Sequence, residues 1–360
     1  MDSRSALASP PTAGDARGVQ VDQAVFTSVR TATGEGYRIV ASSGGIGPED
    51  KKEITQRSGS HGSLCDPSET AEALLSYRLA GGRQCVAWVR HAGTEHTARG
   101  GQRVHTHLVV MNAADFDRFS CDPLRVRAAL LSVVGATPDL KPPAKLEPLS
   151  LPTRSSASSS GGEGSSNSSA ARGFDRIAAI VSAVLAGRHL VVPCSESPLA
   201  TLAGVWSAVP LPVRRALALS AGLKFAPARR MNLSLTTGDE AATQRAIRGQ
   251  DVEWFAAEGA EKDSAPVYRE WLALAHRFWD DGRIQEMDRL SACIEGDVTP
   301  DALNRIAAIR SDLEQAVTAD AQASSRLAAQ YASFRPVGEL ETNLVERILA
   351  TVSRTEQPDA

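Results

Sequence analysis

The first part of the chain alternates short apolar runs with turn residues, a pattern that predicts strands. One strand is expected over Val19–Val29, and Tyr37–Ala41 has apolar residues at every second position, which predicts a second, half-buried strand. Two more strands are predicted at Gln84–Arg90 and Val104–Met111. Between these pairs, Asp66–Leu79 predicts a helix, because Asp-Pro opens it and three leucines follow.

Helical patterns also flank the predicted strands. A short helix is expected after Pro48, and two closing helices are expected at Ala113–Phe119 and Pro123–Val134. Strands that precede or separate the helices predict an α+β domain. We expect its sheet to be antiparallel or mixed, with the helices on one side.

The rest of the chain first combines strand-like and helix-like spacing of its apolar residues and then shows helical spacing alone. A helix from Phe174, a buried strand at His189–Pro193 and a βαβ-like order up to Thr237 predict a small α/β domain. From Pro266 onward the apolar residues repeat at helical spacing. The last predicted helix, Glu339–Val352, has an apolar face that could form an oligomer interface.

A segment rich in Ser and Gly separates the two parts of the chain. It has too little apolar surface to offset the entropy lost on ordering, so we expect it to be flexible. The predicted divisions are a disordered tail at 1–18, an N-terminal α+β domain at 19–145, a flexible linker at 146–172, a small α/β domain at 173–260, a helical C-terminal region at 261–352 and a tail at 353–360.

Composition and charge narrow the class of protein. Of the 360 residues, 42% are hydrophobic, enough for two cores, and the net charge of −3 argues against broad binding to nucleic acid. No apolar run approaches the roughly 20 residues of a membrane-spanning helix, and the N-terminus lacks a signal-peptide pattern. Five widely spaced cysteines without a CxxC pair indicate reduced thiols. We therefore expect a cytoplasmic protein without nucleic-acid partner, membrane insertion or cofactor.

The His105-Thr106-His107 run is the first candidate for chemistry. Strand alternation places both histidines on one side, where His91 or His96 could complete a metal site. With His61-Gly62-Ser63, the run could also form the paired H-x-S/T strands of a two-histidine phosphoesterase, but His107 stands where the hydroxyl is expected. A structural or ligand-contacting role is favoured over both.

The Gly-rich turn Ser42–Gly47 is the second candidate. A phosphate loop would require the GxxxxGK[ST] spacing and its lysine, which the turn lacks, so a tight turn is favoured. We assign no catalytic or metal-binding residue. The candidate residues for binding a partner or ligand are Ser42, Ser43, Gly44, Gly45, Arg90, His105 and His107.

Four segments of the chain resemble a known protein family. They are Val21–Ser28, Gly36–Ile46, Ser60–Leu64 and Arg99–Val110. Together they resemble the N-terminal domain of the bacterial GTPase-associated protein 1 family. The chain departs from the family's pattern where Gly44 or Gly45 stands in place of a proline.

The second part of the chain resembles the same family's middle domain less specifically. The matching features are the strand Leu190–Pro193, the Leu211-Pro212 helix start with Arg214-Arg215, and the strand ending at Leu235–Thr237. Both resemblances together cover about Val19 to Asp239.

The resemblance implies a component of bacterial multi-gene systems built around a GTPase, acting as an adaptor or regulator. It implies no reaction that could be transferred to residues of this chain. Our first hypothesis is a non-enzymatic adaptor that binds a protein partner, either a GTPase or its complex. A hydrolase or phosphoesterase that uses His105 and His107, and a scaffold that oligomerises through its C-terminal helices, remain alternatives.

Overall fold

The computed structural model describes residues 18–31, 34–95, 101–153, 167–195, 197–255, 267–296 and 298–355. The chain divides into two compact units. The first holds the residues up to 161 together with Ala218–Met231 and Thr236–Gly238, and the second holds the remainder. Residues 1–17 of the predicted N-terminal tail, His96 and residues 154–166 of the predicted Ser/Gly-rich linker lie outside the described residues.

Ten strands are described. In chain order they are β1 (Val19–Thr31), β2 (Gly34–Ser42), β3 (Glu72–Arg78), β4 (Gln84–Thr94), β5 (Gln102–Met111), β6 (Leu149–Leu151), β7 (Leu190–Pro193), β8 (Leu219–Ala221), β9 (Leu233–Thr236) and β10 (Glu253–Trp254).

Twelve α-helices are described. They are α1 (Pro48–Arg57), α2 (Ala113–Asp117), α3 (Pro123–Val134), α4 (Asn167–Leu185), α5 (Pro198–Ala208), α6 (Leu211–Ala216), α7 (Glu240–Ile247), α8 (Arg269–Asp280), α9 (Ile284–Ala292), α10 (Pro300–Thr318), α11 (Ala321–Ala332) and α12 (Glu339–Thr355).

The first unit is built on a sheet with the strand order β8-β3-β4-β5-β1-β2. Neighbouring strands of this set run antiparallel, and β6 also pairs antiparallel with the start of β1. β6 lies inside the stretch that composition predicts to be flexible, because its leucines pair with Val19–Val21. The predicted α+β class with an antiparallel or mixed N-terminal sheet is confirmed.

Helices cover both faces of this sheet, so the expectation that they lie on one side is wrong. Ile54 of α1 packs with Leu75 and Cys85 on one face. On the opposite face, Arg127 of α3 pairs with Glu72. The central strands are buried on both faces, and an exposed apolar sheet face would have to be covered.

The helix predicted at Asp66–Leu79 is also wrong, because its second half forms strand β3. All residues from Ala73 to Tyr77 are buried, so the run lacks the alternation that marks a half-buried strand. A short continuous apolar run of this kind fits a buried helix as well as a central strand, and its pairing with β4 and β8 decides between them.

The second unit combines a small sheet with a set of helices. Its strands follow the order β10-β7-β9, and β7 and β10 run parallel. α12 packs against α10 and α11, and the apolar face predicted as an oligomer interface is buried there through Leu344, Ile348 and Val352. Among the described helices, none combines the length and apolar character required to cross a membrane.

Candidate functional site

Antiparallel pairing gathers three of the predicted binding residues on one face of the first sheet. Arg90 of β4 lies directly opposite His105 of β5, and Trp88 lies opposite His107. The two histidines point to the same face, as strand alternation requires, with ring centroids 6.5 Å apart. This is the face that α3 partly covers.

The chain after α3 crosses the same face. Gly135, with φ of 76°, adopts a left-handed conformation that favours glycine and ends α3. Residues 136–147, called the strap from here on, then run without helix or strand towards β6. Arg90 Nη1 donates to the carbonyl oxygen of Ala136 at 2.5 Å, and His105 Nε2 lies 3.2 Å from that of Asp139.

Gln23 of β1 ties His107 to the strap. Its side-chain nitrogen donates to the carbonyl oxygen of Glu147 at 2.6 Å, and its side-chain oxygen lies 2.8 Å from His107 Nε2. The oxygen can only accept, so His107 Nε2 carries the hydrogen of this bond. The same reasoning assigns the hydrogen of His105 to Nε2, because a carbonyl oxygen is its partner.

Burial keeps both histidines neutral at physiological pH. The pKa of His105 is lowered to about 4, first by burial and then by the nearby charge of Arg90. The pKa of His107 is lowered to about 3, again by burial first and then by His105 and Arg90. Neutral rings with the hydrogen on Nε2 act here as hydrogen-bond donors.

Arg90 lies between an aromatic ring and the strap. Its guanidinium carbon is 3.8 Å from the centroid of the Trp88 ring, a cation–π contact. Burial lowers the pKa of Arg90 to about 10, and Glu72 partly opposes this effect. Arg90 therefore stays charged near pH 7. Glu72 in turn accepts from Trp88 Nε1 at 2.9 Å and pairs with Arg127.

Arg90 Nε and His105 Nδ1 are buried on this face and have no hydrogen-bond partner among the described residues, and the same holds for Arg127 Nε. Arg90 is only 7% exposed and His105 is fully buried. In the assigned tautomer Nδ1 is an acceptor, whereas the guanidinium Nε is a donor. The strap thus bonds to Arg90 Nη1 and His105 Nε2 and leaves Arg90 Nε and His105 Nδ1 without a partner.

The Ser42–Gly45 turn lies where the strap ends. Ser42 N donates to the carbonyl oxygen of Ala144, and its own carbonyl oxygen accepts from Leu146 N at 3.1 Å. Ser43 is buried, and its hydroxyl accepts from Gln23 N and donates to the carboxylate of Asp22 at 2.8 Å. Ser42 and Ser43 therefore hold the chain together, which is the tight-turn role favoured by the sequence.

The two glycines of the turn differ in their surroundings. Gly44 is exposed, and a Cβ there would meet nothing within 4 Å. A Cβ on Gly45 would lie 2.1 Å from the Asp22 carboxylate. Arg83 holds that carboxylate through Nη1 at 3.0 Å and also donates to the Gly45 carbonyl oxygen. Close approach of Asp22 explains why only glycine fits at position 45.

This geometry gives little support to a metal site or to a phosphoesterase site. Within the described part of the chain, no group of three or more His, Cys, Asp or Glu side chains is placed to hold a metal ion. His61 lies beside Gly101, in the loop region, and His91 Nδ1 accepts from Gly93 N. The proposed partner of His105 and His107 in such a site, His96, lies outside the described residues.

Sequence reasoning missed the residues that organise this face. Gln23 had no distinct signal, since the same strand also contains Gln20, Asp22 and other polar residues. Trp88, Glu72 and Arg127 had none, because their contact depends on the register of β3 with β4 and on α3 packing over both.

The comparison with protein families finds a match within the first unit. The family model described as GTPase-associated protein 1, N-terminal domain type 2, matches residues 20–150. That range contains β1 from its second residue, β2–β5, α1–α3, the strap and the start of β6. No curated protein and no solved structure matches the chain. Residues 20–150 are therefore similar to the GTPase-associated protein 1 N-terminal domain of type 2.

Proposed function

We propose that this protein is a non-enzymatic adaptor of a GTPase-associated system and that its first unit binds a protein partner, a GTPase or its complex. The family match connects the chain with a GTPase-related system. The adaptor role rests on one structural observation, which is the use of Arg90, His105 and Gln23 to hold main-chain carbonyl groups.

Main-chain carbonyl groups are what an extended protein segment offers to any surface that binds it. The guanidinium of Arg90, the neutral imidazole of His105 and the amide of Gln23 present donors to such groups along one face. This arrangement suits recognition of a polypeptide better than bond-making chemistry.

The placement of the histidines supports binding over hydrolysis. Both Nε2 atoms are engaged in hydrogen bonds, and both rings are buried and neutral. A general acid or base works best with a pKa near the operating pH, whereas the pKa values of about 4 and about 3 lie well below it.

The C-terminal helices offer less support for an oligomerising scaffold. The apolar residues of α12 pack within the second unit, where α10 and α11 cover them. We therefore place the partner-binding surface on the first unit.

Direct binding to purified GTPases tests the proposal. The full chain is immobilised, and GTPases of the source organism are offered one at a time, loaded with GDP or with a non-hydrolysable GTP analogue. We expect one of them to bind with a dissociation constant in the micromolar range or below, typical of a specific transient complex. Absence of binding by every GTPase in both nucleotide states would contradict the proposal.

A matched pair of variants locates the surface. Arg90→Gln should weaken GTPase binding at least tenfold, because it removes the charged donor from the sheet face. Arg38→Gln changes an exposed arginine on β2 of the same unit and should leave binding unchanged. Circular dichroism of both variants establishes that they are folded.

A further inference from the structure

The strap covers the sheet face without burying any of its own residues. Each residue from 136 to 147 is exposed or half-buried, and the apolar Leu140 is 36% exposed. In contrast, Gln23, Arg90 and His105 beneath it are buried. The strap is therefore held by hydrogen bonds rather than by burial of apolar surface.

These hydrogen bonds do not depend on the side chains of the strap. The acceptors are the carbonyl oxygens of Ala136, Asp139 and Glu147. Any extended chain that follows the same path presents carbonyl groups of the same kind. A segment from another protein could consequently replace the strap as the hydrogen-bond partner of Arg90 and His105.

The strap also leaves part of the face unused. Arg90 Nε is a buried donor and His105 Nδ1 a buried acceptor, and no described residue bonds to either. The two side chains are direct partners across β4 and β5. An amide or hydroxyl side chain contains both an acceptor for Arg90 and a donor for His105, whereas a carboxylate offers acceptors alone.

We propose that the strap occupies the site at which an extended segment of the partner binds. In this proposal the partner inserts an extended segment carrying an Asn, Gln, Ser or Thr side chain, and residues 136–143 move aside to admit it. The ends of the strap stay attached, through Ser42 and β6 on one side and through α3 on the other. The inference rests on the proposed partner-binding function and names the chemistry of the segment bound.

A loosened strap provides the test. Leu140→Ser, Pro142→Gly and Pro143→Ser together keep the strap length and remove two prolines, which increases the conformational freedom of the released strap. The control, Pro336→Gly with Val337→Ser, makes the same kind of change in an exposed loop of the second unit. All chains are full length, and the probe is a displayed library of random 12-residue peptides.

We expect the loosened chain to enrich peptides that contain an Asn, Gln, Ser or Thr at a shared position. These peptides should bind it about tenfold more tightly than they bind the native or control chain, since the strap competes less well. Adding Arg90→Gln to the loosened chain should remove that gain.

Three results would overturn the inference. They are no enrichment above the control chain, equal affinity for the loosened and native chains, and enriched peptides without a shared amide or hydroxyl side chain. A GTPase that binds the native and loosened chains equally would refute the strap inference and leave the adaptor function standing. Peptide binding of the expected kind without any GTPase binding would support the strap inference and refute the proposed binding of a GTPase.

Discussion

His107 donates its Nε2 hydrogen to the side-chain oxygen of Gln23 at 2.8 Å, and this bond fixes the orientation of the glutamine amide. The amide nitrogen then points at the strap and donates to Glu147. A histidine that the sequence marks as a candidate for chemistry therefore orients a neighbour that holds the chain. The relationship links the β5 and β1 strands to the segment that covers them.

Replacement of Gln23 tests this link. Gln23→Leu leaves the buried His107 Nε2 hydrogen and the Glu147 carbonyl oxygen without their partner, and we expect a loss of about 1–3 kcal/mol in the free energy of unfolding. Gln20→Leu, at an exposed position of the same strand, serves as control and should change stability by less than about 0.5 kcal/mol. Urea unfolding of the full chain measures both. Equal effects would show that the Gln23 amide has no special role.

The two glycines of the turn give a second, closely matched comparison. Gly45→Ala drives a methyl group into the Asp22 carboxylate, which Ser43 and Arg83 hold in place. We expect a destabilisation of about 1–3 kcal/mol, as for overpacked sites. Gly44→Ala meets open space and should be close to neutral. Thermal unfolding of the two variants tests the expectation, and a neutral Gly45→Ala would contradict the described turn.

The pH dependence of stability follows from the histidine pKa values. Both are lowered by burial, to about 4 for His105 and about 3 for His107, from about 6.5 in the unfolded chain. Between about pH 6.5 and pH 4 the unfolded state therefore binds more protons than the folded state. Stability should fall as the pH falls through this window, by up to about 1.4 kcal/mol per pH unit for each histidine.

His107→Gln isolates one of these contributions. The variant retains a side chain that can donate to Gln23, and it should show a shallower fall in stability between pH 6.5 and 4 than the native chain. Identical slopes for the native chain and His107→Gln would mean that His107 titrates normally in the folded protein.

Thiol reactivity reports on the α1 side of the sheet. Cys85 is fully buried, and burial raises its pKa to about 12, so it should resist iodoacetamide at pH 8 in the folded protein. Cys293 is exposed and should be modified under the same conditions. Peptide mass spectrometry separates the two sites, with urea-unfolded chain as the reference for full labelling. Labelling of Cys85 at the rate of Cys293 would contradict the described core.

Local patterns in the sequence predicted much of the first unit. Short apolar runs identified β1, β4 and β5, alternation identified β2, and α3 was predicted at Pro123–Val134. The prediction at β3 was wrong because Asp66-Pro67 has the form of a helix start, and the short buried apolar run that follows fits a helix as well as a strand.

The candidate site was harder to predict, for a topological reason. His105 and His107 could be placed on one face from local periodicity alone, whereas their contacts with Gln23 and Asp139 depend on how β1 and the strap return to β5. Long-range pairing of this kind leaves no short-range signal. A tight turn was predicted at Ser42–Gly47, and the contact of Ser43 with Asp22 was not foreseen.

Site-specific photo-crosslinking in the source organism tests the central claim most directly. A benzophenone amino acid replaces Leu140 of the strap, and in a control chain it replaces Val317, which is 71% exposed on α10 of the second unit. If the strap face receives the partner, the probe at position 140 should capture a GTPase or a member of its complex, identified by mass spectrometry, and the probe at position 317 should not. Capture of that GTPase at position 317 alone, or at neither position, would contradict the account.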